Sequence, residues 1–370
     1  MVIFSPGHSE RGGIARRSRL FASELAARGW DTRVVAKSDD LHWFRTTRHP
    51  NLVVVEIPGF RSQALGALTF LTAGVVAGSI WGRRAAALLA VQLVSPTYAA
   101  AICSQLVRRP YIAFTSTSGQ LSEVAYLINS RFSRVRSDLL RRAAFVAAQT
   151  AAAAEELKRI VDPERVAVVP NPVESVVAAP LTGHPRAIYT GRLSEEKDLL
   201  RLLDAWRIVA EPRAEAVLTL AGDGGRYRSV QTELRQRVGQ DAVLARSVVF
   251  TGWVSDVGPL LASSDVYVFP SLTEGMSNAL LEACAWGRVV VASDIPSNRA
   301  VLGDDYPLLF PAGDSEGLVE ALNRALGDDH IRAAAVDRVL RRAKAFSLDV
   351  VVDEIEELVA RSVAQCRRRR

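Results

Sequence analysis

A chain of 370 residues with 49% hydrophobic content exceeds what one ordinary hydrophobic core holds, so the sequence predicts two domains. The cysteines Cys103, Cys284 and Cys366 fit no paired metal or disulfide spacing and favour a reducing compartment. The net charge of +6 is moderate, and its arginine clusters contain almost no interleaved aromatic residues, which disfavours a nucleic-acid partner.

The arginine clusters have two interpretations. They form either solvated surface or a contact with an anionic membrane surface or an anionic acceptor. The first cluster consists of Arg131, Arg134, Arg136, Arg141 and Arg142, and the second is Arg367–Arg370 at the end of the chain.

The chain opens with a strand, a loop and a helix. Val2–Phe4 is not preceded by the basic and apolar segments of a secretion signal, so we expect a first strand and a cytoplasmic protein. A helix is predicted at 14–28 and a second strand at 32–37, which together complete a β-α-β unit.

Glycines dominate the loop between the first strand and the first helix. Gly7 and Gly12 have the spacing that begins a Walker loop, but Gly13 and Ile14 stand where that loop needs lysine and serine or threonine. A nucleoside-triphosphate loop is therefore excluded. Glycines at 12 and 13 either let a ligand approach the backbone closely or make a tight turn.

Residues 62–82 carry no charge and nearly reach the length that crosses a bilayer. Four glycines weaken a spanning helix, and Trp81 with Arg83 and Arg84 forms a boundary of the interfacial type. The segment has three interpretations: a membrane span, a helix lying in the membrane surface, or a buried packing helix. The glycines are Gly66, Gly74, Gly78 and Gly82.

Short apolar runs alternate with helical stretches in both halves of the chain. In the first half, strands are predicted at 52–57, 86–92, 111–114, 145–148 and 166–169. In the second half, they are predicted at 187–190, 217–221, 248–251, 266–269 and 289–292. This alternation predicts an α/β protein of two doubly wound domains, with a ligand bound at the carboxyl ends of their strands.

Glycine, basic and acidic residues collect where the strands of the second half end. Because parallel strands end at one edge of a sheet, these loops are expected to meet. They contain Gly191, Arg192 and Lys197, then Gly222–Gly224, then Gly252, Trp253 and Val254, and finally Glu274–Asn278.

The stretch Phe269–Gly287 reads as a strand end, a turn and a helix start. Ser277 is a good N-cap, so the amides of 276–278 are expected at the positive end of a helix dipole, where phosphate binds. Glu274 and Glu282 flank that point and suit neutral hydroxyls rather than phosphate. A phosphate between two sets of hydroxyls describes a sugar nucleotide, whereas the alternative is a capped surface helix with two solvated acids.

Arg192 and Lys197 are natural cations for a diphosphate, because arginine grips two oxygens and lysine supplies a mobile charge. The alternative is a helix capped by Ser194 with charges facing water. The chain has no Asp-x-Asp pair and no His, Cys and acid cluster at ligand spacing, so no metal is expected. The turn at 222–225 lacks the third glycine of the dinucleotide fingerprint, and no Gly-x-Ser-x-Gly elbow of a serine hydrolase is present.

Taken together, these motifs resemble the retaining glycosyltransferases of family 4, which have the GT-B fold. The central match is Pro-Ser-x-x-Glu-Gly-x-x-Asn-x-x-x-Glu-Ala at 270–283, which contains Glu274 and Glu282. The further matches are Gly191-Arg192-Leu193 with Lys197, Gly222-Asp223-Gly224, Phe250-Thr251-Gly252, Pro311-Ala312-Gly313-Asp314, Gly12-Gly13-Ile14 and Pro170-Asn171-Pro172.

The resemblance implies a role for each matched residue. Glu282 would hold the ribose and Glu274 the donor sugar, while Arg192 and Lys197 would neutralise the leaving diphosphate. The amides of Met276, Ser277 and Asn278, with Gly12 and Gly13 of the first domain, would assist, Gly222 would line the nucleotide site, and the base would lie near Trp253 and Val254. The nucleotide sugar would be a co-substrate, with no cofactor and no metal.

Two departures from the family pattern concern donor or acceptor geometry. Many relatives have a His-Gly or His-Asp pair after the strand equivalent to 111–114, where this chain has Thr115–Gly119. Thr117, Ser118 or the loop residue His8 could contact the donor instead. Ala300 replaces a glutamate often found after Asn-Arg.

The resemblance also implies the domain organisation. A first, acceptor-side Rossmann-like domain at 1–172 and a linker at 173–185 precede a nucleotide-sugar domain at 186–346, and the domains face each other across a cleft. Residues 347–370 form a helix that crosses back to the first domain and a basic tail.

The implied activity is sugar transfer from a UDP or GDP donor to a saccharide or lipid-linked saccharide acceptor. It would take place in the cytoplasm or at the inner membrane face. The alternatives are a non-catalytic sugar-nucleotide-binding protein or an epimerase of the same fold. A phosphorylase would need a cofactor lysine motif, which the sequence does not show.

Overall fold

The computed structural model describes residues 1–6, 13–37, 46–57, 63–116, 133–225 and 228–368, of which 46–49 and 63–65 are described by their backbone. Four of the predicted site residues lie outside these ranges. They are His8, Gly12, Thr117 and Ser118.

The chain divides into two compact units. The first comprises Met1–Glu174 with Leu348–Arg370, and the second comprises Ser175–Ser347. Most of the segment predicted as a linker therefore belongs to the second unit. There the amides of Thr182 and Gly183 donate to the buried carboxylate of Asp265 at 2.5 and 2.9 Å.

The first unit is an α/β sandwich whose sheet follows the order β3-β4-β2-β1-β5-β6-β7-β8. All neighbouring strands are parallel except β3, which runs antiparallel to β4. The strands are β1 (Val2–Ser5), β2 (Thr32–Lys37), β3 (Thr46–His49), β4 (Leu52–Ile57), β5 (Leu88–Ala90), β6 (Tyr111–Phe114), β7 (Phe145–Ala148) and β8 (Val166–Val168). The helices are α1 (Gly13–Ala27), α2 (Gln63–Gly82), α3 (Ser95–Val107), α4 (Ser133–Arg141), α5 (Ala151–Leu157) and, after the second unit, α14 (Leu348–Arg368).

Apolar side chains cover both faces of this first sheet, as expected for parallel strands. One face packs against α2, α3, α4 and α5. The other face packs against α1 and α14, where Phe21 and Leu25 meet Val352 and Ile355 in one core. The last helix of the chain is thus part of the first unit.

The second unit has an all-parallel sheet of six strands in the order β11-β10-β9-β12-β13-β14. Its strands are β9 (Arg186–Thr190), β10 (Val217–Ala221), β11 (Val248–Gly252), β12 (Val266–Phe269), β13 (Val289–Asp294) and β14 (Leu309–Pro311). Its helices are α6 (Leu199–Ala210), α7 (Arg228–Gln240), α8 (Ala242–Ser247), α9 (Gly258–Ala262), α10 (Asn278–Ala285), α11 (Pro296–Leu302), α12 (Ser315–Gly327) and α13 (Asp329–Lys344). The order is that of a Rossmann fold, and the strand order reverses between β9 and β12.

The predicted α/β class and doubly wound sheets are confirmed, and six of the predicted strands have the predicted bounds. Two strands were not predicted, β3 and β14, and each lies at one edge of its sheet. The strand predicted at 86–92 is shorter and spans Leu88–Ala90. Both strands are short, with four residues in β3 and three in β14, so neither contains a long apolar run.

The glycines of the uncharged segment form the packing face of α2 rather than a weakness in it. Buried residues recur every fourth position at Gly66, Phe70, Gly74, Gly78 and Gly82. A methyl group at Gly78 would lie 2.4 Å from the Phe4 ring and 3.0 Å from the Cys103 sulfur. The structure therefore favours the packing-helix interpretation. No helix in the described ranges has both the length and the apolar content needed to cross a membrane.

Only one of the three thiols is expected to react rapidly with a disulfide reagent in the native protein. Cys103 and Cys284 are fully buried, and burial raises the pKa of both thiols, so little reactive thiolate forms. Cys366 is partly exposed on α14. Titration with dithiodipyridine should give one fast thiol, absent in Cys366→Ser, and three after unfolding. A second fast thiol in the native protein would contradict the burial of the other two.

Candidate active site

The predicted site residues of the second unit lie at the carboxyl edge of its sheet, where hydrogen bonds join neighbouring loops. The Gly191 amide donates to the Ala221 carbonyl at 3.0 Å, and the Gly222 amide donates to the Gly252 carbonyl at 2.8 Å. Gly222 has a φ of +150°, and a methyl group there would lie 1.8 Å from the Gly191 carbonyl oxygen. The close approach of these loops therefore requires glycine at 222.

The loop after β12 leads into α10 as the sequence predicted. The Ser277 hydroxyl accepts a hydrogen bond from the Leu280 amide at 3.3 Å, which confirms Ser277 as the N-cap. The helix begins at Asn278, so the positive end of its dipole lies beside Met276–Asn278. Glu282 is in the second turn of the same helix and is partly buried.

Lys197 and Glu274 form an ion pair across the point where the strand order reverses. The Lys197 ammonium donates to Oε1 of Glu274, and the Ser271 hydroxyl donates to the same oxygen at 3.2 Å. Both charged side chains are only 14% exposed, and the ammonium lies 5.8 Å from the centre of the Phe269 ring. Ligands of Rossmann-type sheets bind at this reversal, so the pair stands where an anionic ligand would arrive.

Backbone contacts fix the two loops that carry this ion pair. Lys197 lies in a 3-10 turn, Glu195–Lys197, which follows β9. In this turn the Glu196 carbonyl accepts from the Leu272 amide at 2.9 Å. Ser194 does not cap this turn through its side chain, contrary to the alternative drawn from the sequence. Its hydroxyl donates to Glu196 instead, at 2.6 Å.

Three supporting residues were missed by the sequence reasoning. The Tyr189 hydroxyl donates to the Arg192 carbonyl at 2.8 Å, and burial raises its pKa, which keeps the proton on the oxygen. The Ser293 hydroxyl donates to the Ser271 carbonyl at 2.5 Å, and Asn298 donates to Ser293 at 2.8 Å. Their signal is faint, because polar residues at the ends of buried strands have many structural uses.

The remaining predicted residues of the second unit are more widely spaced. The Arg192 side chain is exposed on the loop that follows β9. Lys197 of the ion pair lies later in the same loop. Trp253 and Val254 follow the edge strand β11, two strands away from β9, and Trp253 is 40% exposed. A methyl group at Gly258 would lie 2.7 Å from the Trp286 ring, so the loop from 253 leads to the C-terminal end of α10.

In the first unit, Gly13 begins α1 and is exposed, directly after the loop that follows β1. Asn171 of the Pro-Asn-Pro motif is buried, and its side-chain oxygen accepts from Arg17 at 3.1 Å and from Gln149 at 2.9 Å. Arg17 also donates to the Thr115 carbonyl at 2.7 Å. The motif therefore ties α1 to the ends of β6, β7 and β8.

Positive charge at the candidate site comes from side chains and the helix end. Within the residues that the structure describes, no three His, Cys, Asp or Glu side chains are grouped closely enough to hold a metal ion. Lys197 and Arg192 are the cations on the loop after β9. The arrangement can hold an anion and offer a carboxylate to a hydroxyl group beside it.

Comparison with known proteins identifies the protein family. Residues 184–328 match the family model described as Glycosyl transferases group 1, and residues 12–172 match the Glycosyl transferase 4-like domain. The fold is GT-B, since the chain superposes on Anabaena HepE in complex with UDP and glucose with a TM-score of 0.76. That match has 19% identity and covers 97% of this chain and 99% of the other. Sucrose-phosphate synthase from Thermosynechococcus elongatus gives a TM-score of 0.80 at 18% identity, with 98% and 99% coverage.

The chain belongs to the group 1 glycosyltransferases, as the sequence motifs predicted. It is 36% identical over 201 residues to a phosphatidyl-myo-inositol mannosyltransferase of Mycolicibacterium smegmatis, covering 50% of each chain. It is 27% identical over 215 residues to the Escherichia coli UDP-Gal:alpha-D-GlcNAc-diphosphoundecaprenol alpha-1,3-galactosyltransferase, covering 54% of each chain. The chain spans about half the length of the curated relatives it matches.

Proposed function

We propose that this protein is a retaining glycosyltransferase that moves a sugar from a UDP or GDP donor to a saccharide or lipid-linked saccharide acceptor. Membership of the group 1 family supports the reaction class. Relatives named for galactose and mannose transfer to lipid-linked acceptors support the acceptor class. The observation that carries the proposal is the ion pair of Lys197 and Glu274 between the loops after β9 and β12.

The donor would be held from both ends. Its diphosphate would lie against Lys197, Arg192 and the first turn of α10, because each supplies positive charge. Glu282 would accept from the ribose hydroxyls and Glu274 from a sugar hydroxyl. The base would lie toward Trp253 and Val254, with Gly222 leaving room for the backbone to approach the nucleotide.

Lys197 would gain a second anionic partner when the donor binds. In the structure its ammonium neutralises Glu274, and a diphosphate brings two or more negative charges to the same place. Lys197 would then lie between the phosphate and the carboxylate and attract both. Glu274 would accept a hydrogen bond from the sugar.

The chemical step would break the bond between the anomeric carbon and the diphosphate oxygen, which keeps the electron pair. The acceptor oxygen forms the new bond to that carbon on the same face, and its proton passes to the departing diphosphate or to solvent. Charge therefore develops on the diphosphate, where preorganised cations lower the barrier most. Lys197, Arg192 and the helix end would supply this charge without a metal or a cofactor.

The first unit would contribute Gly12 and Gly13 to the diphosphate and provide the acceptor site. Thr117, Ser118 or His8 would contact the donor in place of the histidine that many relatives have. We place the reaction in the cytoplasm, in keeping with three unpaired cysteines.

A screen of nucleotide sugars tests the proposal. The correct donor at 100 times its Kd should stabilise the native protein by about 2.7 kcal/mol, and turnover should release UDP or GDP without added metal. Glu282→Gln should weaken binding of the nucleoside diphosphate about tenfold, because one charged hydrogen-bond acceptor for the ribose is lost.

Glu320→Gln is the matched control, since Glu320 is 75% exposed on α12 of the same unit. It should leave binding unchanged. If no nucleotide sugar stabilises the protein, or if Glu320→Gln weakens binding as much as Glu282→Gln, the donor site is wrong. Binding of a donor without transfer or release of nucleoside diphosphate would favour the non-catalytic alternative.

A further inference from the structure

One face of α2 is apolar and exposed. Leu68, Val76 and Ile80 are 55%, 61% and 66% exposed and lie, with Thr72, four residues apart along the helix. The opposite face is the glycine-rich stripe packed on the sheet. Large aliphatic side chains at such exposure in one row are unusual on a soluble surface and indicate an interaction.

Helix α3 extends this apolar face. The Cys103 thiol donates to the Val75 carbonyl, and a methyl group at Gly82 would meet Val107, so the two helices run side by side in the same direction. On α3, Ile102 and Leu106 are 39% and 65% exposed. Both helices belong to one layer on the same face of the sheet, so their exposed residues share one side of the unit.

A groove continues the apolar face inward. It has a volume of about 520 Å³ and lies between α2 and β4. Its lining is almost wholly apolar, with Thr72 as the exception. The lining residues are Val55, Thr72, Ala73, Val76, Ala77, Ile80 and Trp81.

The charged residues between positions 57 and 122, a range that includes α2 and α3, are all basic. Between Glu56 and Glu123 the sequence contains no aspartate or glutamate. It contains Arg61, Arg83, Arg84, Arg108 and Arg109. Arg83, Arg84 and Arg108 are exposed at the shared C-terminal end of the two helices, and Arg109 donates to the Arg83 carbonyl at 2.8 Å. In the described part of the chain, no carboxylate forms an ion pair with Arg83 or Arg84.

We propose that the α2–α3 face docks on an anionic phospholipid bilayer, with Leu68, Val76 and Ile80 among the acyl chains and the arginines at the headgroup phosphates. Aliphatic residues beside the exposed Arg83 and Arg84 match the apolar and anionic layers of such a surface. Trp81 lies between the two, as an interfacial aromatic residue does. Helix α2 lies along the surface, since its glycine stripe is packed on the sheet.

A second copy of the chain fits this face less well. Two copies in contact would bring the arginine clusters of both together without a carboxylate, and like charges at short range oppose association. The basic tail is a separate surface, because α14 covers the opposite face of the sheet. It therefore offers a control with the same charge.

Flotation of the full-length protein with vesicles tests the docking, without a nucleotide sugar. Vesicles of phosphatidylglycerol with phosphatidylcholine should bind the protein, salt should weaken the binding, and phosphatidylcholine alone should bind far less. Arg83→Ser with Arg84→Ser should weaken binding about 30-fold, because each arginine at an anionic surface contributes about fivefold. Val76→Ser with Ile80→Ser should weaken it about tenfold or more, because two aliphatic groups no longer leave water.

Arg367→Ser with Arg368→Ser removes the same charge from the opposite layer and should leave binding within about twofold. Circular dichroism should show that all variants are folded. The proposal is overturned if the protein does not bind anionic vesicles, or if the tail variant loses as much binding as the α2 variants. It is equally overturned if the protein is a dimer that Val76→Ser with Ile80→Ser dissociates, since the face then serves a second copy.

Discussion

Lys197→Ala is expected to lower kcat for sugar transfer about 1,000-fold. The ammonium is held at the reversal of the strand order by Glu274 and lies over the Phe269 ring, so it is positioned before a donor arrives. It would stabilise charge that grows on the diphosphate as the sugar leaves. The loss should therefore appear mainly in kcat, and the KM for the donor should rise less.

The variant should remain folded, because Glu274 keeps the hydrogen bond from Ser271. We expect a loss of about 1–2 kcal/mol in the free energy of unfolding, measured with urea. Lys344→Ala is the matched control, since Lys344 is exposed on α13 of the same unit. Lys197→Arg keeps the charge but changes its geometry and should recover part of the rate.

Steady-state assays with the donor found in the screen test whether Lys197 acts in the transfer step. A kcat for Lys197→Ala within about fivefold of the parent would remove Lys197 from the transfer step. A fall in kcat matched by Lys344→Ala would point to a general effect of lost charge.

The sequence carried enough information for the class, the strands at the centre of each sheet and the cap of α10. Central strands such as Val266–Phe269 are wholly buried, and their unbroken apolar runs predict them directly. The cap at Ser277 was predictable because serine before a helix has a specific hydrogen-bonding role. Both signals are local in the chain.

The ion pair itself was not predictable from local signals. Lys197 and Glu274 are 77 positions apart and meet because β9 and β12 are neighbours in the sheet. That neighbourhood follows from the strand order, which no pattern in the residues states. The sequence predicted both residues as parts of a site, but it did not predict that their side chains are in contact.

The sequence alone also left the packing of helix α2 undecided. Its glycines were taken to weaken a membrane span, and the structure shows them as the close-packing face against β1 and α3. A glycine every fourth residue predicts either outcome until its neighbour is known. The exposed row at 68, 76 and 80 became visible only after the opposite face was assigned.

The buried carboxylate of Asp265 is another feature that the sequence did not reveal. Its side chain is 1% exposed and accepts from the Arg332 guanidinium at 2.7 Å and from the Thr182 hydroxyl at 2.9 Å. The amides of Thr182 and Gly183 also donate to it, as described above. One carboxylate thus fastens the segment before β9 and helix α13 to the start of β12.

Asp265→Asn is expected to lower the free energy of unfolding of the second unit by about 3–5 kcal/mol. An asparagine amide offers one oxygen where the aspartate offers two, and its NH₂ group would face donors. Arg332 is 15% exposed, so its charge would remain largely buried without its closest partner. Urea and thermal unfolding, followed by near-ultraviolet circular dichroism, measure the loss.

Asp329→Asn is the matched control, because Asp329 contacts the same arginine at 3.3 Å but is 94% exposed. Exposed ion pairs contribute little, so we expect this change to cost less than about 0.5 kcal/mol. If the two variants differ by less than about 1 kcal/mol, the stabilisation comes from elsewhere than the burial of Asp265. A large difference would show that burial and the three donors from Thr182 and Gly183 set Asp265 apart from Asp329, since the arginine and the chemical change are the same.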